Sequence, residues 1–154
     1  MNPETILLVE DNLDDAELTR DTLQRARILN DLTVINDGAT ALDYLLRAVG
    51  EGGNPESLPA VVLLDLNLPK LNGFELLKQI RADERLRRLP VIILTTSPEQ
   101  EAVLKCYELY ADSYIRKPVD VEHFNEAARR SGLGWWLRKA PPSAPPHLRP
   151  DDPP

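Results

Sequence analysis

The sequence predicts an α/β fold in which five parallel strands form a doubly wound sheet, with helices on both faces. Short apolar runs alternate with helical patterns five times along the chain. The strongest runs are continuously apolar, which is typical of strands that are buried on both faces. The 154 residues correspond to one domain of ordinary size.

The five predicted strands are short apolar segments that stand in the order expected for this fold. They are residues 5–10 (TILLVE), 32–36 (LTVIN), 60–65 (AVVLLD), 91–96 (VIILTT) and 113–117 (SYIRK). The second and fifth have the weaker signals, because polar residues interrupt them.

The five predicted helices each place apolar residues on one face. The first covers about residues 13–27, with Leu13, Ala16, Leu23 and Ala26 on that face. The other four show the same pattern at Ala41, Leu42, Leu45, Leu46 and Val49, at Phe74, Leu77 and Ile80, at Val103, Cys106, Tyr107 and Tyr110, and at Phe124, Ala127, Ala128 and Ser131.

The end of the chain has a different composition. Half of the 14 prolines lie between residues 141 and 154. A segment so rich in proline cannot pack a core and favours extended conformations. We therefore expect one domain over residues 1–138 and a flexible proline-rich tail over residues 139–154.

Charge and hydropathy argue against several classes of protein. The net charge of −7 and the lack of a basic block disfavour a nucleic-acid partner. No apolar run approaches the roughly 20 residues of a membrane span. The N-terminus lacks the basic start of a secretory signal, and the single cysteine excludes a disulfide framework. We expect a cytoplasmic protein without membrane contact.

Polar residues with a shared chemistry stand at the ends of the predicted strands. The first strand ends in Glu10 and Asp11, the third in Asp65, the fourth in Thr95 and the fifth in Lys117. Ligands of open α/β sheets bind beyond the carboxyl ends of the strands. The sequence therefore predicts that these five side chains meet at one edge of the sheet.

Three gathered carboxylates require a compensating cation. Two unit charges about 4 Å apart repel by about 4 kcal/mol at an effective dielectric constant of about 20. Mg²⁺ relieves this repulsion, because it binds carboxylates while keeping sites for water and phosphate oxygens. With Lys117 and Thr95 alongside, the set is typical of phosphoryl transfer, and Asp65 is the predicted acceptor that becomes an aspartyl phosphate. The main-chain carbonyl of Asn67 is a further candidate ligand for the metal.

Each of these residues also has a plainer interpretation. An Asp after a strand often caps the next helix, and Asp11 or Asn12 could cap the first one. Thr95 could be an ordinary strand residue, and Lys117 could lie in a solvated turn. The prediction of a site depends on their combination, in order, at the strand ends.

These motifs resemble those of a known family. The segments "LLVEDN", "LLDLNLPKLNGFELL", "VIILTTS" and "YIRKP" are similar to the CheY-like receiver domains of two-component response regulators, over about residues 4–131. The resemblance implies a flavodoxin-like (βα)5 fold with strand order 2-1-3-4-5. It also implies that Asp65 is phosphorylated by a histidine kinase, with Asp11 a direct Mg²⁺ ligand and Glu10 a ligand through water.

The same resemblance assigns the remaining site residues. It implies that Thr95 and Lys117 contact the phosphoryl group and that Tyr114 changes rotamer when Thr95 moves. It implies a signalling protein whose only catalysis is its own phosphorylation and dephosphorylation.

The amino-acid sequences of several segments are similar to those of one subgroup of this family. "NLDDAELTRDTL", "LTTSPEQE" and "CYELYADSYIRKPVDVEHF" resemble the single-domain regulators that partner phytochromes. This implies a phytochrome-like histidine kinase as partner. Without an output domain, the signal would pass by protein association or by phosphorelay.

Four aromatic residues suggest an interface. Tyr107, Tyr110, Trp135 and Trp136 lie in or near the fourth and fifth predicted helices. Because Trp and Tyr are enriched among interface anchors, we expect a symmetric homodimer through this face. The alternative is that the tryptophans close the core of a monomer.

Two other functions share part of this pattern. A phosphatase of the haloacid dehalogenase type forms a similar aspartyl phosphate, but it needs a second Asp two residues after the nucleophile, where this chain has Asn67. A receiver-like docking module that is never phosphorylated is disfavoured, because no site residue is missing.

Overall fold

A computed structural model describes residues 5–28, 30–54, 57–66, 68, 70–95, 111–117 and 119–130. These residues form β1 (Thr5–Val9), α1 (Leu13–Arg25), β2 (Asp31–Ile35), α2 (Gly38–Val49), β3 (Val61–Asp65), α3 (Gly73–Ala82), β4 (Val91–Thr95), β5 (Ser113–Arg116) and α4 (Val121–Arg130). Helix α4 is the last of the predicted helices. The predicted helix around Val103–Tyr110 lies outside the described residues, as do Asn67, Trp135, Trp136 and the tail.

The five strands are all parallel and lie in the order β2-β1-β3-β4-β5. Both the strand order and the doubly wound topology are as predicted. β1 pairs with β2 on one side and with β3 on the other, so the strand order reverses between β1 and β3. A switch point of this kind opens a crevice at the carboxyl ends of the two strands.

The sheet separates two hydrophobic cores. Successive side chains of a strand point to opposite faces, so Ile6 and Leu8 pack with α1 and α4, whereas Leu7 and Val9 pack with α2 and α3. All four side chains are fully buried. Burial on both faces explains why the strongest strands read as continuous apolar runs.

Asn and Asp side chains cap the first three helices at their N-termini. Asn12 accepts a hydrogen bond from the main-chain N–H of Asp15, Asp37 from that of Thr40, and Asn72 from that of Glu75. Asn12 is therefore the cap of α1, one of the two candidates named from the sequence. In the part of the chain that is described, no helix combines the length and apolar character needed to cross a membrane.

The prediction that Leu13 lies on the buried face of α1 is wrong. Leu13 is 75% exposed, whereas Ala16 and Leu23 on the same predicted face are buried. Leu13 begins the helix just after the end of β1, where the helix has not yet come to lie over the sheet. A periodic pattern cannot show where along a helix the contact with the sheet begins.

Candidate functional site

Three strands direct charged side chains to the same side of the sheet. Along each strand, residues two apart share a face. Glu10 follows Leu8, Asp65 follows Leu63 and Lys117 follows Ile115, each by two positions, and these three apolar residues belong to the core beneath α1 and α4. The three charged side chains therefore converge on the side of the sheet that α1 covers.

The Lys117 ammonium lies among three carboxylates. Its Nζ is 2.8 Å from Glu10 Oε1, 2.9 Å from Asp15 Oδ2 and 3.2 Å from Asp65 Oδ2. It donates hydrogen bonds to Asp15 and Asp65, and its side chain is only 14% exposed. Lys117 therefore does not lie in a solvated turn, which was the plainer interpretation of its position in the sequence.

Glu10, Asp11 and Asp65 form an acidic cluster. Each offers one carboxylate oxygen, and these oxygens lie within 4.8 Å of one another. Glu10 and Asp65 are buried, whereas Asp11 is exposed at the mouth of the cluster. The structure brings these three predicted ligands together.

One buried oxygen of this cluster indicates that the residues suit a cation. Lys117 is the ionic neighbour of Glu10 Oε1, but this oxygen has no well-aligned hydrogen bond and no access to solvent. A buried anionic oxygen without a hydrogen bond is costly. Oxygen ligands of this kind, arranged around a shared space, fit a hard divalent cation.

The environment of Glu10 changes its acidity. Burial raises the pKa of its carboxyl, the neighbouring Asp65 raises it further, and Lys117 lowers it, which leaves the pKa at about 7 instead of 4.5. Near neutral pH without a metal, a proton therefore competes for this site. A cation at the cluster would favour the ionised form.

The pKa of Lys117 moves in the opposite sense to that of a simply buried lysine. Burial alone would lower it, but the hydrogen bonds and charges of Glu10, Asp15 and Asp65 outweigh burial and raise the pKa. Lys117 is therefore a fixed positive charge at every physiological pH.

Asp15 was not among the residues predicted from the sequence. It lies in the first turn of α1, and its partner Lys117 is 102 positions further along the chain. An acidic residue in the first turn of a helix is commonly explained by its favourable interaction with the helix dipole. This explanation does not suggest that Asp15 is also a partner of Lys117. Its position four residues after Asp11, at the start of a helix that leaves the site, was the one available signal.

The segment after Asp65 is held by close contacts between main chains. The main-chain N–H of Gly73 donates to the Leu66 carbonyl at 3.0 Å, and a Cβ atom at Gly73 would overlap the carbonyl oxygen of Asp65. On the other side, a Cβ atom at Gly38 would overlap the carbonyl oxygen of Leu71. These glycines allow α2 and α3 to begin directly against the loop that follows the predicted acceptor.

Thr95 and Tyr114 lie on the other face of the sheet. Thr95 is fully buried at the end of β4, and its carbonyl accepts a hydrogen bond from the main-chain N–H of Lys117 at 2.8 Å. Tyr114 is half-buried, pairs with Ile93 and packs against the core beneath α2 and α3. Because Thr95 follows Ile93 by two positions, Thr95 and Tyr114 share this face. Their roles as a switch pair stay predictions.

The sequence was compared with known proteins. Residues 6–129 match the response regulator receiver domain family. The chain is similar to the probable methanogenesis regulatory protein FilR2 of Methanothrix harundinacea, with 42% identity over 137 residues that cover 87% of this chain and 86% of that protein.

Two solved structures are also similar. The bacteriophytochrome response regulator RtBRR is 45% identical, with a TM-score of 0.80 over 92% of this chain and 85% of the other. The Mn²⁺-bound form of response regulator Rcp1 is 34% identical, with a TM-score of 0.65 over 92% of this chain and 100% of the other. Rcp1 is a protein of Synechocystis sp..

Proposed function

The chain belongs to the response regulator receiver domain family, and from that premise we propose that it is a single-domain response regulator that accepts a phosphoryl group from a histidine kinase on Asp65. The observation that carries the proposal is the Lys117 ammonium, 3.2 Å from Asp65 Oδ2 at the edge of an acidic cluster. A carboxylate oxygen of Asp65 forms the new bond to phosphorus while the bond from phosphorus to the histidine nitrogen breaks. Lys117 stabilises the negative charge on the transferring group.

Receiver domains bind a divalent metal at an acidic pocket, and the similar Rcp1 has been solved with Mn²⁺. We assign Mg²⁺ to the corresponding cluster here, held by Glu10, Asp11, Asp65 and the main-chain carbonyl of Asn67. When bound, the metal supplies neutralisation of charge on the phosphoryl oxygens. Asp11, exposed at the mouth of the cluster, is the proposed direct ligand, and the buried Glu10 is the proposed ligand through water.

The partner we propose is a phytochrome-like histidine kinase in the cytoplasm. Support comes from the 45% identity to the bacteriophytochrome response regulator RtBRR, together with the subgroup motifs in the sequence. The output would pass through protein association, in which a homodimer is one route, or through phosphorelay. The chain would act as a signalling protein and not as an enzyme on external substrates, and its domain would end near residue 138.

The test is phosphorylation by acetyl phosphate in the presence of Mg²⁺. We expect the wild type to gain one base-labile phosphoryl group by mass spectrometry and Asp65→Asn to gain none. Asp43→Asn, which alters an exposed Asp of α2 paired with Arg47, is the matched control and should behave as wild type. If Asp65→Asn accepts phosphate at the wild-type rate, the assignment of the acceptor is wrong.

The partner is tested separately by phosphotransfer from purified histidine kinases. A phytochrome-type kinase should transfer to this chain faster than kinases of other sensor classes. A consistent preference for another class would refute the phytochrome partner and leave the acceptor assignment intact.

A further inference from the structure

The carboxylate of Asp15 contacts the phosphoryl-binding lysine but takes no part in the acidic cluster. Its Oδ2 lies 2.9 Å from Lys117 Nζ, whereas the three residues that offer oxygens for a cation are Glu10, Asp11 and Asp65. We propose that Asp15 positions the Lys117 ammonium over Asp65 for phosphoryl transfer. This inference rests on the proposed function, since it assigns a further positioning residue to the same site.

Lys117 has as many N–H donors as it has carboxylate neighbours. A lysine ammonium has three N–H donors, and three carboxylates surround Lys117. Once a cation is bound, Glu10 and Asp65 share their negative charge with it, and their hold on the ammonium weakens. Asp15 is outside the cluster, so its contact with Lys117 is retained and directs the other two donors towards the acceptor.

Asp15 is itself held in place by its own helix. Its main-chain N–H is bound by the Asn12 cap at 3.0 Å, which fixes the first turn of α1. Further along α1, the buried Thr22 hydroxyl donates to the carbonyl of Val119 at 2.7 Å. Helix α1 is therefore fixed at its start by the Asn12 cap and attached, through Thr22, to the chain two residues after Lys117.

Loss of the Asp15 carboxylate should affect the position of the Lys117 ammonium more than the stability of the fold. The Asp15 side chain is 38% exposed, so water can reach the space it would leave. An ion pair that water reaches on one side contributes less to folding than a fully buried one. A lysine, however, has four rotatable methylene groups, and loss of one anchor widens the range of positions that its ammonium samples. A misplaced catalytic contact slows a reaction even when the fold is intact.

The test compares Asp15→Asn with Asp15→Glu and with a matched control. Asp14→Asn removes a charge from the neighbouring residue in the first turn of α1, which forms no ion pair with Lys117. At saturating Mg²⁺, we expect the rate of phosphorylation by acetyl phosphate to fall about three- to fivefold in Asp15→Asn. Asp15→Glu should recover part of the rate, and Asp14→Asn should keep the wild-type rate.

A second readout needs no phosphate. NMR relaxation of the Lys117 ε-methylene at saturating Mg²⁺, where Glu10 and Asp65 share their charge with the cation, should show greater mobility in Asp15→Asn and wild-type mobility in Asp14→Asn. Thermal denaturation of each variant confirms that it is folded. An unchanged rate in Asp15→Asn would overturn the proposal, and so would a reduced rate with unchanged Lys117 mobility, since the effect would then be one of charge alone. A wild type that accepts no phosphate would instead refute the proposed function.

Discussion

Replacing Glu10 with Gln should stabilise the metal-free protein at high pH. Glu10 is 1% exposed, and its pKa is raised to about 7 by burial and by Asp65, against the opposing effect of Lys117. An ionised Glu10 is therefore held in the fold at a cost. Gln has nearly the same shape and carries no charge, and Lys117 keeps Asp15 and Asp65 as partners.

The sign and size follow from the linkage between protonation and folding. The unfolded chain releases the Glu10 proton near pH 4.5, whereas the folded chain keeps it until about pH 7. Between these values the folded state binds more protons, so the free energy of unfolding decreases as the pH rises, and above about 7 the loss is complete. At about 1.4 kcal/mol per pH unit, the full effect is at most about 3.5 kcal/mol. Because Gln removes one partner of Lys117, we expect a net gain of about 1–2 kcal/mol at pH 8.

The assay is urea denaturation at pH 5 and pH 8 with a chelator present. Glu10→Gln should be more stable than wild type at pH 8 and close to wild type at pH 5. Asp15→Asn is the matched control, because it removes another carboxylate from Lys117 at a position open to water, and it should show no such gain. In saturating Mg²⁺ the order should reverse, since a ligand at 100 times its dissociation constant stabilises the wild type by about 2.7 kcal/mol.

Two outcomes would refute this reasoning. If Glu10→Gln is no more stable than wild type at pH 8, ionised Glu10 is well accommodated without a metal. If the gain is equal at both pH values, it comes from packing and not from protonation.

Four further predictions concern other parts of the molecule. Gly73→Ala should lose about 1–3 kcal/mol of unfolding free energy in urea, because its methyl group overlaps the main chain of β3, and a neutral result would contradict the close contact. Lys117→Ala should lower the free energy of unfolding in urea by about 1–3 kcal/mol at pH 8, because it leaves the carboxylates of Glu10 and Asp65 without their cation. The loss should be smaller at pH 5, where Glu10 is protonated and the two carboxyl groups repel less. Equal losses at both pH values would exclude carboxylate repulsion as the cause. Asp11→Ala should weaken Mg²⁺ binding, followed by NMR titration, more than Glu10→Ala does, and equal affinities would remove the distinction between direct and water-mediated ligands. Light scattering over a dilution series should show a dimer for the wild type and weaker association for Trp136→Ala, whereas a monomer at high micromolar concentration would exclude the predicted dimer.

The sequence predicted the sheet well because its strands are buried on both faces. Strand β1 has four successive apolar residues before Glu10, and strand β3 has four before its last residue, Asp65. Runs of this kind are typical of strands that helices cover on both faces. Strand β2, at the edge of the sheet, is only half-buried, and its run was correspondingly weaker. Strand ends were predicted to within one residue. The acids and the lysine that follow the apolar runs mark this boundary in β1, β3 and β5.

The site was predicted as a set of residues and not as a set of contacts. The sequence named Glu10, Asp11, Asp65 and Lys117, but it could not show that Glu10 is buried while Asp11 is exposed. Asp15 was missed because no local pattern shows which side of a helix faces a residue about 100 positions away. The prediction that Leu13 is buried failed for a related reason. Periodicity shows which face of a helix is apolar, but it does not show which residues along that face contact the sheet.

Gly38 and Gly73 make the side of the site next to β3 more rigid than the side that carries Lys117. On the β3 side, Gly73 and Gly38 bring main chain against main chain, and such contacts leave no side chain that can change rotamer. On the opposite side, Lys117 reaches the site through a long side chain. For the phosphorylation of Asp65 that we propose, we expect any change of shape to spread through β4, β5 and α1, while β3 holds Asp65 in place. Regulation of this protein by a partner should accordingly act on the geometry around Lys117 and not on the position of Asp65.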